Sequence, residues 1–219
     1  MHLTIGPDHL STTIDFTVPE TDQVGILLSA GLDSSALLCM IIQELKDTGR
    51  IDKVTITAFT VVKPTHEPVY AEIMLKAITD HYGVSIQHEN YLPNTEPFLS
   101  SGTLNPPDHI NSIYEKYGRN IAIYMAVNNM PPESVKKFNG SLGFVYNTPT
   151  DHYRPFLNLY KPQMISIFYK LGVEFLIPYA HSCAKQAIGK CKKCYSCEER
   201  AWGFEQLGLP DPATIDILS

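Results

Sequence analysis

The sequence predicts an α/β fold built on a parallel sheet. From Val24 to His88, segments with the hydrophobic period of a strand alternate with segments of helical period. The first of these strands, Val24–Leu28, is a continuous apolar run, which is typical of a strand covered on both faces. Strand, helix, strand, helix, strand in this order implies parallel strands joined by right-handed crossovers.

The first half of the chain has clear element boundaries. Ser11–Val18 alternates apolar and polar residues, which predicts a half-buried strand, and Gly6–Asp8 before it fits a hairpin turn. After the strand Val24–Leu28, Ser34–Asp47 has apolar residues at helical spacing, and Thr48-Gly49 is a good helix stop. The next predicted elements are a strand at Val54–Phe59, a helix at Glu67–Tyr82 and a strand at Val84–His88.

The second half of the chain is less regular. A long polar loop is expected at Leu92–Asp108, since loops of this length in compact domains are usually lids or disordered tips. The further predicted elements are a helix at Ile110–Met130, a strand at Phe138–Tyr146, a helix at Pro162–Leu171 and an apolar segment at Val173–Tyr179. A boundary near Ala180 would divide the chain into an α/β domain, residues 1–180, and a C-terminal segment, residues 181–219.

Composition excludes several classes of protein. The chain has 219 residues, 44% of them hydrophobic, and 17 basic against 23 acidic residues give a net charge of −6. That content predicts a globular domain and excludes disorder, collagen, coiled coils and solenoids. The longest apolar run, Ala36–Ile42, is too short to span a bilayer, and Met1–Thr4 lacks the features of a leader, so we expect a soluble cytoplasmic protein. An acidic chain is also a poor partner for nucleic acid.

A loop of small residues lies between the first buried strand and its helix. Open α/β sheets bind ligands at this place, where small residues and helix amides can hold an oxyanion. No lysine follows the glycine, so the loop is not a P-loop. A simpler reading is that Asp33 only caps the helix. The loop consists of Ser29, Ala30, Gly31, Leu32, Asp33, Ser34 and Ser35.

This loop resembles the Ser-Gly-Gly-x-Asp-Ser loop of the PP-loop ATP pyrophosphatase superfamily. The resemblance implies an adenine nucleotide alpha hydrolase-like (Rossmann-like) domain that binds ATP, grips its pyrophosphate and transfers AMP to a carbonyl or carboxyl oxygen. Ala30 replaces one glycine. A methyl group fits there only if the backbone does not need a positive φ.

Four of the five cysteines are close together in the sequence, whereas Cys39 stands alone. Without an export signal, such clustering favours metal over disulfides, and four thiolates at short spacing predict a structural zinc site with no open position for substrate. Redox chemistry and an iron–sulfur cluster are the alternatives. The predicted ligands are Cys183, Cys191, Cys194 and Cys197.

The cysteine spacing narrows the resemblance to the QueC family of 7-cyano-7-deazaguanine synthases. The residues after the cysteines fit that family, as do three further elements: Leu159-Tyr160-Lys161, Leu171-Gly172-Val173 and Gly118-Arg119-Asn120. Two stretches depart from its pattern, Val61–Glu72, which contains His66, and Asn147–Arg154. The matching residues after the cysteines are Arg200, Gly203-Phe204, Gly208 and Asp211-Pro212.

The resemblance implies a function and residue roles. The reaction would convert 7-carboxy-7-deazaguanine and ammonia to the nitrile at the expense of two ATP, with Mg²⁺ bridging the phosphates. The loop Ser29–Ser35 would hold pyrophosphate and magnesium. The expected catalytic residues are Asp33, Lys161 and Arg119, the last two as cations near the α-phosphate. The simpler readings are an exposed helix-start lysine for Lys161 and a surface salt bridge for Arg119.

Other residues and functions stay open at this stage. His66 is either a loop histidine or a base, and His152 and Arg154 form a polar patch that could face substrate. A related enzyme could stop at the amide or adenylate another carboxylate, and a non-catalytic, zinc-stabilised nucleotide-binding protein is a third reading. Sulfur transfer to tRNA is less favoured because the thiols are committed to metal. The family resemblance allows a homodimer.

Overall fold

A four-stranded parallel sheet forms the centre of the structure. The computed structural model describes residues 1–61, 67–91, 106–129, 131, 152–183, 185–186 and 188–212. The sheet order is β5-β4-β3-β6, and β3 pairs on both sides, with Val24 opposite Ile56 of β4 and Ala122 of β6. A single parallel bridge between Tyr124 and Tyr153 continues the sheet beyond β6. The strands of this sheet are β3 (Gln23–Leu27), β4 (Thr55–Val61), β5 (Gln87–Tyr91) and β6 (Ala122–Tyr124).

An antiparallel hairpin precedes the sheet. It consists of β1 (His2–Ile5) and β2 (Thr12–Asp15), and the predicted turn between them is confirmed, with Gly6 at φ +91°. A Cβ atom at Gly6 would lie 2.8 Å from the side chain of Gln163, so only glycine allows this close approach. The Gly6 amide donates to Ser166 at 2.8 Å, which fastens the hairpin to the domain.

Five α-helices surround the sheet among the described residues. The first follows β3, the second joins β4 to β5, and the third precedes β6. Short 3₁₀ helices cover Asp8–Leu10 and Glu174–Tyr179. The α-helices are α1 (Leu32–Asp47), α2 (Glu67–Tyr82), α3 (Pro106–Tyr117), α4 (Lys161–Lys170) and α5 (Tyr195–Gln206).

The strands bury different residues on their two faces, as a period of two requires. Val24 and Ile26 of β3 belong to the main core, which α1, α2 and α4 complete. The other face carries Phe59 and Ile123, which pack with α3 in a second cluster. Gly25 is needed on this face, because a Cβ atom there would lie 2.8 Å from the Phe59 ring.

The predicted α/β class with a parallel sheet is confirmed, and one predicted helix is wrong. The helix expected at Ile110–Met130 begins at Pro106 and ends at Tyr117, and β6 follows it. Gly118 adopts φ +79° and breaks the helix. The run from Ile121 to Met125 is buried throughout and pairs with β3, so tertiary contacts override its helical pattern.

Three other expectations concern a loop and two strands. The loop expected at Leu92–Asp108 is shorter than predicted because α3 begins at Pro106, and residues 92–105 lie outside the described part of the chain. The strand predicted at Phe138–Tyr146 also lies outside the described residues. The strand predicted at Val84–His88 begins three residues later, at Gln87.

The C-terminal segment is in contact with the rest of the protein. Helix α5 packs along α4, and Phe204 of α5 belongs to the main hydrophobic core. The division into residues 1–180 and 181–219 remains a prediction. The helices of the described part include none that is long and apolar enough to cross a membrane.

Candidate functional site

The loop Ser29–Ser35 lies at the carboxyl end of β3, the central strand. Gly31 is the N-cap residue that precedes α1, with extended backbone angles of φ −74° and ψ 168°. The Ser34 hydroxyl accepts a hydrogen bond from the Ser29 amide at 3.2 Å and lies 3.2 Å from the Ser29 hydroxyl. These contacts fold the loop back onto the first turn of α1, where unpaired helix amides favour anions.

Ala30 adopts a left-handed conformation, with φ +55°. The expectation that alanine fits this loop only without a positive φ is therefore wrong. Such a conformation costs an alanine about 1–2 kcal/mol. Full burial of Ala30 and a 3.0 Å hydrogen bond from the His181 amide to its carbonyl hold it in place. The backbone thus keeps the left-handed turn that a glycine would make easily.

Two polar atoms of this loop are buried and have no hydrogen-bond partner among the described residues. They are Oδ1 of Asp33 and Oγ of Ser35. Buried polar atoms are nearly always hydrogen-bonded in proteins, so these two mark a place where a ligand or ion is expected to bind. The structure also gives α1 no side-chain cap, so Asp33 does not act as the helix cap of the simpler reading.

The other oxygen of Asp33 contacts Lys161, the first residue of α4. The Lys161 ammonium lies 2.5 Å from Oδ2 of Asp33 and 3.1 Å from Oε2 of Glu199. Lys161 is 5% exposed, which overturns the reading of an exposed helix-start lysine. Burial opposes its charge, but the carboxylates of Asp33 and Glu199 more than offset burial and raise the pKa of Lys161. Lys161 is thus a buried cation beside the loop.

Glu199 is a buried carboxylate that the sequence analysis missed. It lies on α5, and its second oxygen accepts a 2.7 Å hydrogen bond from the Asn128 side chain. Tyr195, one helical turn earlier, also donates to Glu199, and burial together with this carboxylate raises the Tyr195 pKa. Nothing in the local sequence distinguishes Glu199 from exposed Glu198, because its partners come from distant segments.

The close approach of α5 to Lys161 depends on Gly203. A Cβ atom at this position would lie 2.7 Å from Cγ of Lys161 and 2.7 Å from Cδ1 of Ile165. Atoms of neighbouring side chains cannot approach so closely, so any larger residue would push α5 away from α4. Gly203 therefore allows Glu199 to reach Lys161.

The four clustered cysteines come together immediately before and at the start of α5. Their Sγ atoms all lie within 4.8 Å of one another, and the pairs Cys191–Cys197 and Cys183–Cys194 are each 4.0 Å apart. Tetrahedral zinc with bonds of about 2.3 Å separates its sulfur ligands by about 3.8 Å. The cluster therefore fits a single metal ion. A [4Fe–4S] cluster needs wider spacing because each thiolate binds a different iron.

Backbone amides point at these sulfur atoms. The Cys194 amide donates to Sγ of Cys191 and the Gln186 amide donates to Sγ of Cys183, both at 3.2 Å. Hydrogen bonds from the Lys193 and Cys194 amides lower the pKa of Cys191 to about 6. Such bonds favour the thiolate form, which is the form that binds a metal ion.

A buried arginine connects the cysteine segment to the domain. Arg200 is 1% exposed and donates to the Ala180 carbonyl at 2.6 Å and to Asp211 at 2.9 Å. The other oxygen of Asp211 lies 2.5 Å from the Lys190 ammonium. Asp211 therefore joins the loop between the cysteines to α5.

The structure does not bring Arg119 to the loop. Arg119 is exposed and lies in the turn between α3 and β6, with its guanidinium over the Tyr114 ring at 5.4 Å. The neighbouring Asn120 carbonyl accepts a hydrogen bond from Thr21, which precedes β3. The turn thus lies at the amino ends of the strands, whereas Ser29–Ser35 lies at the carboxyl end, and the five residues of β3 between them span roughly 16 Å. This geometry does not support the expected position of Arg119 near the α-phosphate, and the catalytic role of Arg119 stays a prediction.

The expected substrate residues are described only in part. His66 and residues 147–151 lie outside the described residues. His152 and Arg154 flank Tyr153, whose amide and carbonyl bond to the backbone of Ile123 and Met125. They therefore lie at the carboxyl end of β6, on the same edge of the sheet as the loop.

A comparison with protein families identifies a match in the second half of the chain. A family described as "Queuosine biosynthesis protein QueC" matches residues 126–208. Relatives named 7-cyano-7-deazaguanine synthase match over longer stretches. The one from Persephonella marina is 26% identical and covers 88% of this chain and 96% of its own length. The one from Archaeoglobus fulgidus is 24% identical and covers 87% and 89%.

Other matches are shorter or more distant. The 7-cyano-7-deazaguanine synthase from Chromobacterium violaceum is 27% identical, but the match covers 36% of this chain and about a third (34%) of that relative. A solved structure, the U34-tRNA thiolase NcsA from Methanococcus maripaludis with its [4Fe-4S] cluster, has a TM-score of 0.48 and 14% identity and covers 93% of this chain and 70% of that one. The sequence comparisons confirm the resemblance to the QueC family, and the names of the relatives indicate an enzyme.

Proposed function

We propose that this chain is an ATP-dependent ligase that converts 7-carboxy-7-deazaguanine and ammonia into 7-cyano-7-deazaguanine. The observation that carries the proposal is the ion pair between Lys161 and Asp33 at the loop Ser29–Ser35. It places a buried cation next to Asp33, whose Oδ1, like the Ser35 hydroxyl of the same loop, has no hydrogen-bond partner in the part of the chain that the structure describes. The similarity to synthases of this name along most of the chain supports the choice of substrate.

The loop would bind the pyrophosphate part of ATP. The first amides of α1 and the hydroxyls of Ser29 and Ser35 are the donors available to phosphate oxygens. Asp33 would hold a magnesium ion through Oδ1, and magnesium, when bound, neutralises charge on the phosphates. Lys161 lies beside Asp33 and would stabilise negative charge that develops at the α-phosphate.

The reaction would take two adenylation steps. In the first, a carboxylate oxygen attacks the α-phosphorus and pyrophosphate leaves, which gives an acyl adenylate. Ammonia then attacks the carbonyl carbon, AMP leaves, and loss of a proton gives the amide. In the second step the amide oxygen attacks the α-phosphorus of another ATP and pyrophosphate leaves. The adenylated amide loses one nitrogen proton, and loss of AMP together with the second nitrogen proton then forms the nitrile.

The metal ion at the cysteines would be zinc with a structural role. Four sulfur ligands fill a tetrahedral site and leave no position for substrate. The ion would fix the start of α5, the helix that carries Glu199. Its contribution to the reaction would therefore be indirect.

Mass spectrometry of the product tests this proposal directly. The protein is incubated with ATP, Mg²⁺, ammonia and 7-carboxy-7-deazaguanine, and pyrophosphate release is measured in parallel. We expect the nitrile and two pyrophosphates per nitrile, and an Asp33→Asn variant that releases at least a hundredfold less. Amide as the only product would favour an enzyme that stops one step earlier. Binding of ATP without pyrophosphate release would favour a non-catalytic nucleotide-binding protein.

A further inference from the structure

Lys161 has two carboxylate partners, although one would be enough to neutralise its charge. Asp33 comes from the nucleotide loop, and Glu199 comes from the helix that follows the cysteines. The side chains of Lys161 and Glu199 are 7% and 6% exposed, whereas that of Asp33 is 20% exposed. Asp33, the partner from the loop, is therefore the more accessible carboxylate, and Glu199, the partner from α5, is buried.

The two partners also differ in what else holds them. Glu199 accepts a hydrogen bond from Asn128 at 2.7 Å and another from Tyr195, so its carboxylate is fixed on more than one side. Asp33 contacts Lys161 through Oδ2 only, and its Oδ1 has no partner among the described residues. Glu199 thus holds the Lys161 ammonium in a fixed position, and Oδ1 of Asp33 remains for another ligand.

This difference matters once a nucleotide binds. A magnesium ion held by Oδ1 of Asp33 would compete with Lys161 for the charge of that carboxylate and would weaken their ion pair. A buried ammonium without a counter-ion is strongly unfavourable, so a lysine with Asp33 alone would oppose magnesium binding. With Glu199 present, Lys161 keeps a partner while it also contacts phosphate.

We propose that Glu199 is a positioning residue that keeps Lys161 at the loop Ser29–Ser35 while Asp33 binds the metal ion of the bound nucleotide. The inference rests on the proposed function in that it requires Mg²⁺-nucleotide to bind at Ser29–Ser35. It assigns Glu199 no contact with substrate. The residue acts through Lys161 alone.

Calorimetric titration with the magnesium complex of α,β-methylene-ATP tests the proposal without requiring turnover. We expect Glu199→Gln to bind this analogue at least tenfold more weakly than the unmodified protein, because a charge-assisted hydrogen bond to Lys161 is lost. Glu198→Gln is the matched control, since this exposed neighbour lies on the same helix and loses the same charge. It should bind within twofold of the unmodified protein.

A merely structural role for Glu199 would give a different pattern. Glu199→Asp keeps the charge and should bind at least threefold more tightly than Glu199→Gln. In a Lys161→Met background, adding Glu199→Gln should change affinity by less than twofold, because the residue through which Glu199 acts is absent. The proposal would be overturned if Glu199→Asp and Glu199→Gln weakened analogue binding equally. It would also be overturned if Glu199→Gln lowered the affinity further in the Lys161→Met background.

The remaining outcomes also support or contradict the proposal. If Glu199→Gln does not fold, the double variant Lys161→Met/Glu199→Met replaces the pair with apolar side chains and is compared with Lys161→Met. Equal affinity of these two supports the proposal, and weaker binding by the double variant contradicts it. If the unmodified protein binds the analogue but makes no nitrile, the proposed function fails while this test stands. If it does not bind the analogue, both fail.

Discussion

Replacing Lys161 with methionine should strongly destabilise the protein. Methionine has a similar length and no charge, so the change removes the ammonium and leaves Asp33 and Glu199 facing each other. The side chains of Lys161 and Glu199 are 7% and 6% exposed, so water cannot substitute for the missing cation. Breaking a buried ion pair from one side typically costs about 3–5 kcal/mol.

Thermal and chemical denaturation measure this cost. In a chain of this size, 1 kcal/mol corresponds to roughly 2–4 °C, so we expect the melting temperature to fall by about 6–20 °C. Lys76→Met is the matched control. Lys76 also pairs with a carboxylate, Asp80 at 2.7 Å, but its side chain is 75% exposed. A surface pair of this kind contributes about 0.3–0.5 kcal/mol, so the control should melt within about 2 °C of the unmodified protein.

The comparison of the two variants can refute the reasoning. If Lys161→Met melts as close to the unmodified protein as Lys76→Met does, Lys161 is not held in a buried ion cluster. The buried charge that we assign to Lys161 beside the loop Ser29–Ser35 would then be wrong as well.

Three further predictions concern the loop, the helix contact and the metal. Ala30→Gly should stay within about 1 kcal/mol of the unmodified protein in urea unfolding, since relief of the left-handed strain is offset by the loss of a buried methyl and by glycine entropy. Ala30→Val should lower the free energy of unfolding by more than about 2 kcal/mol. Equal stability of Ala30→Gly and Ala30→Val would contradict the φ of +55° at Ala30. Gly203→Ala should be destabilised by about 1 kcal/mol net, because overpacking against Lys161 costs about 1–3 kcal/mol and helix propensity returns about 1; a stabilised variant would refute the close contact. Elemental analysis should find one zinc per chain and no iron, and chelation should lower the melting temperature by on the order of 5 °C or more; several irons per chain together with inorganic sulfide would refute the single-ion geometry.

Local patterns in the sequence were enough to predict the loop Ser29–Ser35 and the cluster of four cysteines. The strand Val24–Leu28, the small residues after it and the helix after these are contiguous, so their relative placement follows from chain geometry. The four cysteines lie within fifteen residues, from Cys183 to Cys197, and few backbone conformations are needed to bring them together. Both features depend on short-range spacing, which a single sequence contains.

Features that depend on distant segments could not be predicted in this way. Glu199 is distinguished by its ion pair with Lys161 and its hydrogen bond from Asn128, and no spacing in the sequence relates these three residues. The position of Arg119 could not be predicted either. The sequence pattern of Ile110–Met130 is helical, so it did not indicate the strand β6, which Arg119 precedes. The positive φ of Ala30 depends on burial and on a hydrogen bond from the His181 amide, and His181 is distant from Ala30 in the sequence.

The arrangement of the three charged residues has a consequence for protein synthesis. Asp33 and Lys161 leave the ribosome well before Glu199, because the three residues are far apart along the chain. Until Glu199 and the rest of α5 emerge, Lys161 in a nascent chain has one carboxylate partner and lacks the helix that packs against α4. Shortened products that end before Glu199 should therefore fail to mature and should be removed by cellular proteases.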